Sequence, residues 1–437
     1  MTLREKIEQE IRERGPIPFS RYMEMCLYDS ELGYYSRHAE KFGKAGDFYT
    51  SSAVHAVFGR LMARQFEEMW RALGSPAEIE LLELGPGRGL FAQDVLDWSE
   101  KKLPDFYGAL RYTLAERSPS LRERLEARFR ERIESGKVEL LTLPDDSSGS
   151  TRAEGAFQGP TGEDPSLSSG QAPSAGSGQA ARRSTGERFG TNREGHGFSC
   201  AEWCPTMQRA SAPEVPLIVF ANEFFDALPV EVLSETGSLR IDVHDGRLVE
   251  TWAPASQEEL EFLDRYGVHP TGADRTEAAL VARHCTSRIA ANVQRGFLIA
   301  IDYGYAREEQ LAGRHVGTVM AYRQHSASPN PYEAPGEQDI TAHVNFTAVA
   351  AAAEENGMQV HKLLTQSQFL MGIGEANQFA DAFEDCRLPQ ERAKVALQLK
   401  HLVTPAGMGE TFHVLVGSKG VDRSVMDGLS GLGFGKD

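Results

Sequence analysis

Long apolar runs are missing from this 437-residue chain. No stretch approaches the roughly 18 consecutive apolar residues that a membrane-crossing helix requires, so no membrane insertion is expected. The opening segment, MTLREKIEQEIRERGPIPF, alternates acid and base without an apolar centre, and therefore does not read as a secretory signal; its glutamates also disfavour a transit peptide. Cysteine is scarce. Cys26, Cys200, Cys204, Cys285 and Cys386 form an odd, scattered set without framework spacing, which points to free thiols in a reducing compartment. Together these absences give the expectation of a cytoplasmic protein. Positive charge is also short: 46 Lys and Arg against 63 Asp and Glu leave a net charge of −17. Phosphate-driven binding depends on clustered Lys and Arg, so no nucleic-acid partner is expected, and a cationic substrate or protein partner suits the surface better.

What is present is ordinary globular composition, 41% hydrophobic and 25% charged, in a chain long enough to bury a sizeable core. After a short charged helix, Gly15-Pro16-Ile17-Pro18 breaks the pattern. Val54, Val57, Phe58, Leu61, Met62, Phe66, Met69, Trp70 and Leu73 then recur at helical spacing, which predicts an amphipathic helix capped by Ser51 or Ser52. EIELLEL, a helix from about Leu90, LRYTLAE, an Arg- and Glu-rich helix and KVELLTL follow in turn. Strands alternating with helices in this way open a parallel, doubly wound α/β sheet. At 144–213 Gly, Ser, Pro, Ala and Gln take over, a composition that cannot bury enough apolar surface to offset ordering, so a flexible insertion is expected. PLIVFAN, at 216–222, resumes the sheet as a strand covered on both faces. VEVLSE, LRIDVHDG and LVETWAP alternate and carry turn residues, predicting an antiparallel appendage. GFLIAIDYG, VHKLLTQ and TFHVLVGSK supply further strands, with helices between them.

The segment LLELGPGRGL carries Gly85, Gly87 and Gly89 on a two-residue beat directly after an aliphatic run. A dinucleotide fingerprint has its third glycine one position later, where Leu90 stands, and a triphosphate loop needs Lys followed by Ser or Thr. Neither is written here. Glu83, one residue, then Gly85-Pro86-Gly87-Arg88-Gly89 resembles motif I of class I S-adenosylmethionine-dependent methyltransferases. Glycines let the backbone pass close to the methionine and ribose of that cofactor, and Pro86 stiffens the turn. The second strand ends at Glu116, 27 positions after Gly89, where a carboxylate can accept hydrogen bonds from both ribose hydroxyls. The bland alternative is a tight strand-to-helix turn with a solvated glutamate.

FANEFFDALPV sets Asn222, Glu223 and Asp226 just beyond a buried strand, at the carboxyl end where open α/β sheets bind ligands. Two carboxylates three residues apart can grip a guanidinium or ammonium, and guanidinium suits bidentate pairing best. The competing reading has Glu223 and Asp226 cap a following helix, with Asn222 satisfying loop backbone. His343, in DITAHVNF, is a candidate base near the acceptor or a structural histidine. Tyr34 and Tyr35 are candidates for stacking on an adenine or for plain packing. His196, Cys200 and Cys204 recur at four-residue spacing, but a fourth ligand and the usual two-residue cysteine spacing are missing, so no metal is expected.

Beyond these segments the chain resembles the MidA-type methyltransferase family, related to the mitochondrial complex I assembly factor that methylates a protein arginine. The likeness is carried by GPIPFSRYMEMCLYDSELGYYS, GDFYTS, LLELGPGRG, FANEFFDALPV, AIDYGY and PGEQDITAHVNF, in that order. It implies a Rossmann-like, seven-stranded class I methyltransferase sheet, to which this chain adds an N-terminal helical extension, an antiparallel insertion after strand 4 and the Gly/Ser-rich insertion, the last lying outside the likeness. In domain terms this expects a helical or lid region at 1–75 and a methyltransferase domain at 76–437, interrupted by 144–213 and by a small subdomain at 233–285. The resemblance also implies S-adenosylmethionine as cofactor and ω-nitrogen methylation of arginine in a partner protein, a respiratory-complex subunit among the candidates. Carried over by position, Glu83, Gly85, Pro86, Gly87, Gly89, Glu116, Asn222, Asp47 and Thr50 would hold the cofactor, with Asp47 and Thr50 closing from the N-terminal side. Glu223, Asp226 and His343 would serve the acceptor, near Tyr303 and Asp339. Two departures stand out: Ser52-Ala53 where the family usually has Pro-Glu, and Asn345 in place of a common Asp. Other readings keep the cofactor but methylate a small molecule, or make the chain an assembly factor that binds without turnover; a nicotinamide oxidoreductase is the most distant.

Overall fold

The aliphatic runs that alternate with helices in the sequence become neighbours in one sheet. The computed structural model describes residues 1–37, 56–142, 215–310, 317–323, 326–328, 330–375 and 377–434. All belong to one of the two units into which the chain divides, Met1–Asp145 with Cys200–Asp437. The Gly/Ser-rich insertion at 144–213, the GDFYTS block with Asp47 and Thr50, the Ser51 and Ser52 caps and the His196, Cys200, Cys204 set lie outside the described residues.

The strands are β1 (Ile17–Pro18), β2 (Ile79–Leu84), β3 (Leu110–Glu116), β4 (Val138–Thr142), β5 (Leu217–Asn222), β6 (Glu231–Ser234), β7 (Gly237–His244), β8 (Arg247–Ala253), β9 (Thr276–Ala278), β10 (Gly296–Tyr305), β11 (Met320–Arg323), β12 (Ser326–Ser328), β13 (Asp339–Thr341), β14 (Val344–Asn345), β15 (Gln359–Val360), β16 (Leu364–Thr365) and β17 (Phe412–Lys419). The central sheet runs β15-β17-β10-β5-β2-β3-β4, with β14 on β10 and β16 on β17. The seven-stranded expectation therefore meets nine strands among the described residues, seven of them on the continuous path. β2, β3, β4, β5 and β10 pair in parallel and β17 runs antiparallel to β10. Parallel neighbours need a crossover, supplied by helices Leu90–Lys102 between β2 and β3 and Pro119–Glu134 between β3 and β4.

Burial on both faces explains the unbroken apolar character of β5. Leu217, Val219 and Ala221 join a core shared with the N-terminal helices and helix Leu280–Asn292, while Ile218 and Phe220 face a second core with helix Ala56–Ala72. Successive side chains of a strand point to opposite faces, so each face is lined by alternate residues.

The antiparallel appendage after β5 is a sheet of order β1-β7-β6-β9, with β8 on β7. Here the structure adds something that local pattern hid: within Gly15-Pro16-Ile17-Pro18, read as a break, Ile17 and Pro18 form strand β1, with Ile17 opposite Ile241. Pro18 has no N–H to donate and is tolerated because β1 lies at the edge. Helix Leu3–Arg14 precedes it, opened by a capping box between Thr2 and Glu5. VHKLLTQ, expected as one strand, splits into β15 and β16. Val360 pairs with Gly417 but Leu364 with Val414, so this side carries one residue more than its partner and bulges. No helix among the described residues is long and apolar enough to cross a membrane.

Candidate active site

Parallel register sets Leu84 beside both Ala115 and Ala221, and Asn222 beside Ile301. The loops leaving β2, β3, β5 and β10 therefore share one edge, the ligand-binding edge of open α/β sheets. In the first of them Gly85, Gly87 and Gly89 take φ values of 63°, 52° and 70°, the left-handed region that glycine enters without penalty. The Gly85 N–H donates to the Ala115 carbonyl at 3.0 Å and that of Gly89 to Pro86 at 2.8 Å. A Cβ on Gly89 would sit 2.6 Å from Leu125 Cδ2, and one on Gly85 would sit 3.1 Å from the Phe224 ring. Gly89 thus allows helix packing, and Gly85 is where the glycine loop meets the acidic one. A Cβ on Gly87 would have no neighbour within 4 Å among the described residues, which leaves open space over the middle of the loop. An uncharged backbone turn with room before it fits a cofactor that carries no phosphate.

Two carboxylates that the sequence grouped together part company. Glu116 is buried and accepts from the Ser118 N–H at 2.9 Å, with the backbone of Gly87 and Arg117 near enough to stabilise its charged form, so it reaches the glycine loop. Burial pushes it up to about 7 against those donors. Glu83 instead is engaged within the sheet, accepting from the Tyr112 hydroxyl at 2.8 Å, and burial pushes it up to about 8.

The acidic segment forms no helix: residues 223–230, all described, run through turns to β6. The helix-capping alternative for Glu223 and Asp226 thereby falls. Glu223 lies at φ 49°, a left-handed conformation uncommon outside glycine. Its N–H donates to the Ile301 carbonyl at 3.0 Å, and the Asn222 amide donates to Glu223 Oε1 at 3.2 Å. Asp226 is 5% exposed. Tyr303 donates its hydroxyl to Asp226 Oδ2, while the buried Oδ1 accepts no hydrogen bond among the described residues. Burial pushes the Asp226 carboxyl up to about 6, with the Tyr303 hydrogen bond acting downward.

His343 stands beside Tyr303, rings edge to face at 5.4 Å, and its backbone N–H donates to Thr318 Oγ1 at 3.0 Å. Tyr34 and Tyr35 pack: Tyr35 lies against Tyr28 and Tyr34 at 5.4 Å each and donates to Asp339 Oδ1 at 3.1 Å. The Tyr28 hydroxyl donates to the Ala227 carbonyl at 3.0 Å and the Ser118 hydroxyl to the Tyr35 carbonyl at 3.1 Å. The N-terminal helices are thus tied to both the acidic loop and the end of β3. Asn345 caps helix Phe346–Glu355 by accepting from the Ala348 N–H, and its amide donates to the Tyr266 carbonyl. An Asp there could cap but could not donate.

Sequence reasoning passed over Asp302. It is fully buried in β10; one oxygen accepts from the N–H groups of Phe224, Phe225 and Asp226 at 3.2, 3.0 and 3.3 Å, the other from Tyr303 N–H at 2.9 Å. The available signal was an acid directly after the aliphatic run FLIAI, because a buried carboxylate has to be matched by donors.

A crystal structure of a Burkholderia thailandensis protein bound to S-adenosyl-homocysteine is similar to this chain, with a TM-score of 0.71 and 25% identity, covering 98% of this chain and 94% of that one. A protein arginine methyltransferase NDUFAF7 homolog, mitochondrial, of Drosophila melanogaster is 29% identical over 99% of this chain and 88% of its own length. The mitochondrial NDUFAF7 protein arginine methyltransferase of Danio rerio is 27% identical over 93% of this chain and 84% of its own length. These mitochondrial designations correct the cytoplasmic expectation: scattered free thiols report a reducing environment, which is not unique to one compartment. The family model for S-adenosyl-L-methionine-dependent methyltransferases matches residues 61–364, and the chain belongs to that family.

Proposed function

We propose that this methyltransferase modifies an arginine side chain of a partner protein. One observation carries the reading: the buried Asp226 Oδ1, which accepts no hydrogen bond among the described residues, on an acidic loop packed against the glycine loop. A buried acceptor left unmatched is costly, and a guanidinium N–H is the donor that an incoming arginine would bring. The names of the Drosophila melanogaster and Danio rerio relatives support the same acceptor.

In this reading Gly85, Pro86, Gly87 and Gly89 hold the cofactor, Glu116 its ribose, and Asn222 the junction with the acceptor. Asp47 and Thr50 close from the N-terminal side, within a covering region at 1–75. Glu83, already engaged by Tyr112, supports β2 from behind. S-adenosylmethionine, when bound, supplies an electrophilic methyl on sulfur. Glu223 and Asp226 orient the guanidinium so that one nitrogen lone pair faces that methyl, a geometric demand of in-line displacement. Tyr303 keeps the Asp226 carboxylate in one rotamer, and His343 stands behind Tyr303. A subunit of a respiratory complex as partner agrees with the mitochondrial relatives.

The test is tritium transfer from labelled S-adenosylmethionine into a protein extract of a deletion strain, followed by mass spectrometry. Methylarginine is expected, along with loss of labelling in Asp226→Ala at unchanged S-adenosyl-homocysteine affinity. Labelling confined to small molecules, or an Asp226→Ala variant that labels at the wild-type rate, overturns the reading.

A further inference from the structure

We infer that Asp302 is a positioning residue for methyl transfer, setting the loop that carries Glu223 and Asp226 by gathering its backbone amides. The inference rests on the arginine reading of that loop. Residues 297–301 of β10 are aliphatic or aromatic and fully buried, and Asp302 continues them with no exposed surface. An acid at such a place is unfavourable for the strand taken alone. Its four donors are all backbone N–H groups, and three of them, from Phe224, Phe225 and Asp226, converge on the single oxygen Oδ2. Successive amides pointing at one spot make a concavity for an acceptor, and here the chain itself supplies the carboxyl group, whose pKa is raised well above its ordinary value by burial and by the nearby Asp226 and Glu223, against these donors.

The loop forms no helix and begins at a left-handed Glu223. Among the described residues its other backbone bonds are Glu223 N–H to Ile301, Leu228 N–H to Phe225, Ala342 N–H to the Asp226 carbonyl and the Tyr28 hydroxyl to the Ala227 carbonyl, and Phe225 and Leu228 anchor it in the core. A residue chosen merely to fill the space would be apolar. Asparagine has the volume of aspartate but cannot replace it, because its amide nitrogen would face either the three loop amides or the Tyr303 N–H, donor against donor. Tyr303, the next residue, donates to the Asp226 side chain. Neighbouring positions of β10 thus hold the backbone and the carboxylate of the same acceptor-facing residue. A displacement of about 1 Å at a reacting centre can lower the rate roughly 100-fold, and the loop amides are the lever through which Asp302 would act.

Asp302→Asn and Asp302→Ser, the second leaving room for water on the amides, provide the test. Labelling of the deletion-strain extract from tritiated S-adenosylmethionine gives the maximal rate and the KM for cofactor, calorimetry gives S-adenosyl-homocysteine affinity, and hydrogen exchange reports residues 224–226. The expected result is a maximal rate lowered roughly 100-fold, cofactor KM and affinity unchanged, and faster exchange confined to 224–226. A maximal rate near wild type overturns the inference, as does a loss of cofactor affinity in step with the rate, which a merely structural role would produce. If Glu223→Ala and Asp226→Ala both label normally, the arginine reading fails first; if they lose activity and Asp302→Asn does not, only the positioning role fails. Should both Asp302 variants fail to fold, the wild-type protein decides: amides 224–226 must exchange as slowly as those of β5, and rapid exchange overturns the inference.

Discussion

A methyl group added at Gly87 and the same group added at Gly89 should damage different properties. Both positions are left-handed, at φ 52° and 70°, so alanine at either costs about 1–2 kcal/mol of backbone strain. At Gly89 the new Cβ also meets Leu125 Cδ2 at 2.6 Å and Phe129 Cε2 at 2.7 Å, and both side chains belong to a fully packed core. Overpacking of that kind adds about 1–3 kcal/mol, giving about 2–5 kcal/mol in all for Gly89→Ala. At Gly87 nothing lies within 4 Å among the described residues, so Gly87→Ala keeps only the strain of about 1–2 kcal/mol. If that open space belongs to the cofactor, the Gly87 methyl should weaken S-adenosyl-homocysteine binding at least about tenfold, equivalent to roughly 1.4 kcal/mol. Denaturant unfolding of the cofactor-free protein measures the first quantity and calorimetric titration the second. Equal destabilisation by the two variants would refute the packing argument. Wild-type affinity in Gly87→Ala would show that the space over the loop is not where the cofactor lies.

Two further predictions follow from the buried carboxylates. Burial raises Asp226 to about 6 while the Tyr303 hydroxyl opposes the rise, and only the ionised form gives a guanidinium a charge-paired acceptor; labelling at limiting acceptor should therefore fall below about pH 6, and Tyr303→Phe should move that limb to higher pH. A limb that stays in place, or moves down, rejects this role for the pair. Burial also raises Glu83 from 4.5 to about 8. Between these values the folded chain keeps a proton that the unfolded chain has lost, so the Glu83 contribution, intact below pH 4.5, is lost as pH rises through 8. Glu83→Gln, which can still accept from Tyr112, should match wild type in thermal stability near pH 5 and exceed it at pH 9, by an amount on the order of a few kcal/mol. The same offset at both pH values would mean that Glu83 does not titrate in this window.

Much of the fold was legible because its signals are local. Strands β2, β3, β4, β5 and β10 fall on the aliphatic runs, most plainly β5 and β10, since a strand covered on both faces has no place for polar alternation. Helix Leu90–Lys102 begins where the glycine beat ends. Other elements depended on partners that the pattern does not display. β1 exists because Ile17 meets Ile241, and the bulge between β15 and β16 comes from register against β17.

The candidate site divides along the same line. Sequence by itself determined the glycine loop, because three left-handed turns accept few residues besides glycine, and it located the acidic segment, because a strand end and its loop are contiguous in the chain. Tertiary structure alone separated Glu116 on the loop from Glu83 against Tyr112, and turned residues 223–230 away from helix. It also brought Asp302 to amides 76, 77 and 78 positions earlier in the chain. A carboxylate is defined by the donors around it, and donors drawn from distant strands leave no trace in local spacing.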